Sequence, residues 1–255
     1  MNAFHFHQGN SPLLVSMPHV GLEIPDFIKN DMTDDALSLT DTDWHIDRLY
    51  NFLVDMDISV ISAKYSRYVV DLNRGTDGQS LYPRQKVTGL CPLETFEEKP
   101  LYKKGKVPDI NQRVETYWQP YHDKIRIELD RIKKRHGRAM LWDAHSIKSR
   151  VPMLFDGCLP DLNIGTGNGI SAGHLLVEKL DRITSQSSYS SALNGRFKGG
   201  YITRHYGDPK NNIHAVQLEI SQITYMDEEP NVRFNEAKAN KLRPILIRLI
   251  ETMIE

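Results

Sequence analysis

Apolar and polar positions along the chain alternate between two patterns: short apolar runs of strand length, and longer stretches with apolar residues every three to four positions. Residues 139–142 form a short apolar run that breaks into Asp143, Ala144, His145 and Ser146. Residues 12–17 form a second run, which leads straight into Pro18, His19, Val20 and Gly21. Proline cannot continue a strand ladder and glycine permits a tight turn, so His19 is expected on a sharp strand exit. Further strand-like runs lie at 58–62, 68–72, 151–155 and 161–164. In residues 214–221 a period of two puts Val216, Leu218 and Ile220 on one face and Gln217 and Glu219 on the other.

Helical spacing is carried by residues 38–55, with Thr40 or Asp41 as the expected N-cap, and by apolar positions from Ile110 to about Arg135. Pro120 predicts a kink or break of the second helix near Gln119, and His122 beside it reads as a half-buried helix histidine. Leu175, Leu176, Val177 and Leu180 mark a further helix with Asn168 near its N-cap, and the final 25 residues another, bent at Pro244. Residues 75–108 hold no period and read as a long lid or rim. Residues 1–10 read as a tail in which His5 and His7 have no role. Strands alternating with helices, without repeat or linker, predict one α/β domain over residues 1–255.

Composition narrows the function classes. The chain has 255 residues, 40% hydrophobic and 25% charged, with a net charge of −1. Such a balance gives no global field for nucleic acid or an anionic membrane. The basic runs at 103–106 and 133–135 lack interleaved aromatics and read as solvated faces. Cys91 and Cys158 stand apart with no metal-type spacing, which argues against a disulfide framework or structural zinc and fits a reducing compartment. The first seven residues lack the pattern of a signal peptide, and no apolar run approaches the ~20 residues of a membrane span. The expected location is cytoplasmic. The glycines at 165, 167 and 169 match neither a dinucleotide fingerprint nor a phosphate loop.

The candidate chemistry lies where apolar runs stop. His19 and His145 at strand ends, with a carboxylate from Asp41 or Asp43, would supply the three N/O ligands of a catalytic zinc site. Such an ion lowers the pKa of bound water to about 7. Glu219, a carboxylate at the centre of an apolar strand, needs a metal, a cation or a task to offset its burial, and is the leading general base. Asp71 interrupts an apolar run between Arg67 and Arg74, and two guanidiniums with Asn73 around one strand end suggest an anion site. Arg204 and Tyr201 fall in a glycine-bounded segment, 199–207, dense in hydrogen-bonding side chains.

Several of these stretches together resemble the N-formylglutamate amidohydrolase family: Ser16-Met-Pro-His-Val-Gly21, Asp41-Thr-Asp-Trp44, Ser66-Arg-Tyr-Val-Val-Asp-Leu-Asn-Arg74, Asp143-Ala-His-Ser146 and Gln217-Leu-Glu-Ile220 with Tyr225-Met-Asp227. The resemblance runs from about residue 12 to 250, and the arginine-rich stretch is its most specific part. It implies a mixed sheet flanked by helices, similar to zinc carboxypeptidases, and hydrolysis of N-formyl-L-glutamate to formate and glutamate in histidine degradation. It also implies one divalent metal, expected to be zinc, on His19 and His145, with Glu219 as base and Asn73 and Arg74 as carboxylate holders. The carboxypeptidase-like pattern places Glu three residues after the first His; here that position is Leu22 and Glu23 comes one later. Asp43 is therefore the expected carboxylate ligand, ahead of Asp41 and Glu23. A dianionic substrate calls for two cationic anchors, assigned to Arg74 with Arg67 and to Arg204. The rival readings are hydrolysis of another N-acyl acidic amino acid and a non-catalytic carboxylate binder.

Overall fold

The computed structural model describes residues 3–79, 86–229 and 232–255. Its frame is a seven-stranded sheet built from Phe4–His7 (β1), Leu13–Met17 (β2), Ser59–Ala63 (β3), Ala139–Ile147 (β4), Leu162–Gly165 (β5), Ser191–Leu193 (β6) and Ile213–Ser221 (β7). The spatial order is β1-β3-β2-β4-β7-β5-β6. Strands β3, β2, β4 and β7 run parallel, while β1 is antiparallel to β3 and β5 antiparallel to β7. The sheet is thus mixed, as expected. The supposed tail instead supplies β1, which pairs Phe4 to Ala63 and His7 to Val60 and covers the edge of β3.

Four helices carry most of the packing: Gln119–His136 (α1), His174–Ser185 (α2), Tyr201–Tyr206 (α3) and Glu236–Ile254 (α4). One face of the sheet presents Val15, Trp142, Val216 and Leu218 to Leu180 of α2 and to Leu246 and Leu249 of α4. The other presents Leu14, Leu141 and Ala215 to Tyr121, Ile125 and Leu129 of α1. The second face changes character along the strands. Period two carries it from Leu14 to Ser16, from Leu141 to Asp143 and His145, and from Ala215 to Gln217 and Glu219. The sheet is apolar under α1 and polar beyond it, and the polar half is the floor of the site.

Several elements depart from the sequence pattern. Strand β4 does not stop at Trp142; its ladder to β7 continues through Ile147, so Asp143 and His145 sit within the strand. Residues 38–55 hold only the four-residue helix Ile46–Leu49 and a 3-10 segment, Asn51–Met56. Neither Thr40 nor Asp41 caps them, because His45 precedes the helix in a left-handed conformation at φ 60°. Residues 68–72 form a buried turn, not a strand: Arg113 donates to the carbonyls of Tyr68 and Val69, and His122 to that of Leu72. Side chains there meet the backbone demand a ladder would otherwise meet. Residues 151–155 also form a turn, with the Leu154 and Phe155 amides on the Val151 carbonyl.

Near Pro120 the helix starts as Ile110–Arg113, widens into a π-turn over Val114–Trp118 and resumes as α1. The wider turn accommodates a residue that lacks an amide hydrogen and crowds the preceding turn. Asn168 lies in the left-handed region (φ 60°), and the N-cap of α2 is Gly173. Helix α4 contains Pro244 and is capped by the Asn235 side chain, which accepts from Lys238 N at 3.2 Å.

Candidate active site

Strands β2, β4 and β7 and two buried loops bring His19, Asp43, Asn73, His145 and Glu219 to one cavity. His19 leaves β2 through a turn in which Gly21 is needed for close approach: a Cβ there would stand 2.2 Å from the Tyr65 carbonyl oxygen. Asp43 is fastened between both histidine segments. Its amide donates to the His19 carbonyl at 3.1 Å, and its Oδ2 accepts from Ser146 N at 3.1 Å. Glu219 is placed by register, directly beside His145 across the β4–β7 ladder.

The two histidines are held in the same manner. His19 Nε2 lies 2.7 Å from Asp71 Oδ1, and His145 Nε2 lies 3.1 Å from Asp143 Oδ2. Both rings therefore turn Nδ1 toward Asp43, at 3.7 Å from Oδ1 for His19 and 3.0 Å from Oδ2 for His145. Ligand atoms of His19, Asp43 and His145 all lie within 4.8 Å of one another. Two imidazole nitrogens and a carboxylate oxygen form the donor set that suits Zn²⁺ in three-ligand sites, and carboxylates behind the histidines fix the tautomer such ligands need. The donor set fits the metal. Asp41 is turned elsewhere, accepting from Phe96 N at 2.8 Å, and the exposed Glu23 pairs with Lys64 at 3.4 Å. Among the three candidate carboxylates, only Asp43 joins the histidines.

Charge is concentrated and buried here. Burial and the Arg67 guanidinium lower the His19 pKa. Burial opposes the charge on His145 too, but Asp143 and Asp43 overcome it and hold its pKa well above the usual value. Burial pushes Glu219 up to about 8, with Asp43 and Asp143 adding to the rise against His145 and Arg67. Burial works against the Asp71 carboxylate as well, yet His19, Arg74 and Arg67 keep its pKa well below the ordinary range. If the histidines hold a divalent ion, replacing Asp71 with asparagine should weaken its binding by ~10–100-fold, the usual cost of losing the partner behind a metal-binding histidine. Zinc titration of the folded variant checks this; an unchanged affinity would leave Asp71 with a purely structural role.

The other expected site residues are placed unevenly. Arg67 lines the cavity but is buried, donating to Asp71 Oδ2 at 2.7 Å and lying 5.0 Å from the Phe96 ring centroid. Arg74 also lines it, bonded to the carbonyls of Thr88 (2.9 Å) and Asn73 (3.0 Å). Asn73 accepts from Ile202 N at 2.8 Å, and its amide nitrogen lies 2.9 Å from His145 Nε2. With Gln217, which accepts from Gly200 N at 2.7 Å, Asn73 meets the free amides at the start of α3. Gly200 is required for this contact, since a Cβ would fall 2.2 Å from the Asn73 amide nitrogen.

Arg204 and Tyr201 lie outside the cavity lining. Arg204 Nε donates to the Gly199 carbonyl at 2.8 Å, and Tyr201 stacks on His205 with centroids 4.7 Å apart. Neither side chain contributes to the cavity lining, which a linear segment could not reveal.

Three residues contribute to the site beyond the expected set. Arg196 lines the cavity from the turn after β6. Asp143 stands behind His145. His122 is buried and donates from Nε2 to the Leu72 carbonyl at 2.9 Å, fixing the loop that carries Asp71 and Asn73; burial pushes its pKa down to about 3. The one available signal was Asp143 itself, an acid inside a buried strand.

A family model described as N-formylglutamate amidohydrolase matches residues 11–226. An N-formylglutamate deformylase of Pseudomonas putida is 49% identical over 253 residues, spanning 98% of this chain and 94% of the relative. One of Pseudomonas aeruginosa is 46% identical, spanning 98% and 95%. Among solved structures, an N-formylglutamate amidohydrolase from Ralstonia eutropha JMP134 superposes with a TM-score of 0.84 at 20% identity, covering 99% of each chain. The gene product Atu2144 of Agrobacterium tumefaciens gives 0.73 at 17% identity, covering 98% of this chain and 93% of that one. At these identities the two structures speak for the fold. No helix among the described residues is long and apolar enough to cross a membrane.

Proposed function

The chain belongs to the N-formylglutamate amidohydrolase family and is a hydrolase acting on an amide, and from that premise we propose that it cleaves the formamide bond of N-formyl-L-glutamate, yielding formate and L-glutamate. The observation that carries this reading is the meeting of His19, Asp43, His145 and Glu219 in one cavity where two guanidiniums share one carboxylate. Arg67 and Arg74 both approach Asp71 Oδ2, at 2.7 and 3.9 Å, and Asp71 also serves His19. One negative charge facing three cationic or hydrogen-bonding partners favours an anionic ligand.

His19, Asp43 and His145 would hold one divalent cation, zinc by its donor set. When bound, such a cation supplies Lewis acidity, polarising an amide carbonyl and lowering the pKa of a water. Glu219 takes the proton from the attacking water and passes it to the leaving amine. Asn73 and Arg74 hold a substrate carboxylate, and the Arg67 guanidinium, fixed by Asp71, presents a static positive charge where the carbonyl oxygen becomes negative. The free cysteines Cys91 and Cys158 fit a reducing, cytoplasmic setting.

The test is a comparison of N-formyl-, N-acetyl- and N-succinyl-L-glutamate with the zinc-loaded protein. Formate release should dominate by at least about 100-fold in kcat/KM, as a site shaped for one small acyl group rejects larger ones. Faster cleavage of either larger acyl group would reassign the substrate within the amidohydrolase class.

A further inference from the structure

We infer that Arg196 is the distal carboxylate anchor of the cavity, the residue that selects a substrate with a side-chain carboxylate; this rests on the formylglutamate reading. Arg196 lies in the turn after β6, half-buried, and lines the same cavity as His145 and Glu219. Its guanidinium is fixed before any ligand arrives: Nε donates to the Leu154 carbonyl at 2.6 Å, Nη2 lies 3.4 Å from the Lys86 carbonyl, and the group sits 5.3 Å from the Phe197 ring centroid. Arg74 is fixed in the same way to Thr88, two residues beyond Lys86. Residues 86–88 are thus held at one end by Arg196 and at the other by Arg74, and the two guanidiniums flank the cavity from opposite ends of that short segment. Anchors held by backbone carbonyls keep their charge and lose little rotamer freedom on binding.

The surroundings assign the two anchors different carboxylates. Arg74 follows Asn73, which contacts His145, so it stands beside the reacting end. The α-carboxylate, on the carbon that bears the amide nitrogen, belongs there. Arg196 is neighboured by Phe197, Leu154 and Val87, all lining the cavity. An apolar wall leading to a guanidinium suits two methylenes ending in a carboxylate. Such an arrangement favours a carboxylate end group over a neutral one, since a guanidinium fork makes charge-assisted bidentate hydrogen bonds with a carboxylate that an amide cannot match.

The experiment compares wild type with Arg196→Met and Arg196→Lys, using N-formyl-L-glutamate and N-formyl-L-glutamine. In Arg196→Met the preference for formylglutamate, the ratio of the two kcat/KM values, should fall by about 100-fold, chiefly through KM. Arg196→Lys should fall in between, since an ammonium keeps the charge but loses the bidentate fork. An unchanged preference in Arg196→Met would overturn the assignment. Calorimetric titration with glutarate, a five-carbon dicarboxylate, separates this from the substrate reading. If wild type releases no formate yet Arg196→Met binds glutarate more weakly, the substrate reading fails and the anchor stands. Equal glutarate affinity in wild type and variant refutes the anchor, whatever the turnover.

Discussion

Replacing Glu219 with glutamine is expected to lower kcat for formamide hydrolysis by ~10²–10⁴-fold, the usual contribution of a positioned general base. Glutamine has the same shape and keeps an oxygen for the Gln217 side chain, which donates to Glu219 Oε2 at 3.2 Å. The variant should therefore fold and bind zinc with little change, so the loss isolates proton transfer. The pH profile offers a second readout. In the proposed role Glu219 acts as the carboxylate, so kcat/KM should rise with pH through its pKa. Burial sets that pKa near 8 without a cation, and a nearby divalent charge moves the rising limb to lower pH. The glutamine variant should lose the limb.

Stability of the metal-free protein follows with a definite sign. The folded pKa lies above the ordinary 4.5, so between those values the folded state retains a proton the unfolded state has released. Stability then falls as pH rises through that window, and Glu219→Gln should abolish this part of the loss. Near-normal kcat with an intact pH limb would assign Glu219 a structural role.

Stripping the proposed metal should have the other large effect. Chelated protein is expected to lose ~10³-fold or more in formate release, because Lewis acidity contributes several kcal/mol to the transition state. One equivalent of zinc should restore it. The same addition should raise the melting temperature, since a ligand at 1,000 times its Kd stabilises the folded state by about 4 kcal/mol. Asp43→Ala should abolish both responses, as it removes the one carboxylate facing both Nδ1 atoms. Full turnover by protein shown to be free of metal would refute the assignment.

The sequence made some of this legible because certain patterns are local. The alternation around Glu219 needs only eight residues to be read, and it placed that carboxylate opposite Val216, Leu218 and Ile220 on the strand seen here. The His19 exit was legible from Pro18 for the same reason. The 68–72 segment was misread because β-branched residues report burial, whereas its conformation is fixed by Arg113 and His122 from the distant α1 region. Arg204 stands out through its polar neighbours, but it lies outside the cavity lining. Arg196 had no local signal, because its cavity wall is assembled from Val87, Leu154 and Phe197. Distances between loops are not written in any one window.

The strand order also constrains how the protein comes into being. Asp43 and His145 meet across 102 residues of sequence, and Ser16 reaches Asp143 across 127. Contacts of such long range close large loops before they return any stabilisation, which slows folding and delays the central pairing. On a translating ribosome β2 and β3 emerge early but must wait for β4 and then β7. A growing chain thus displays His19 and Asp43 long before the remaining strands can complete their surroundings. Metal acquisition is accordingly expected as a late event, after β4 and β7 have joined the sheet.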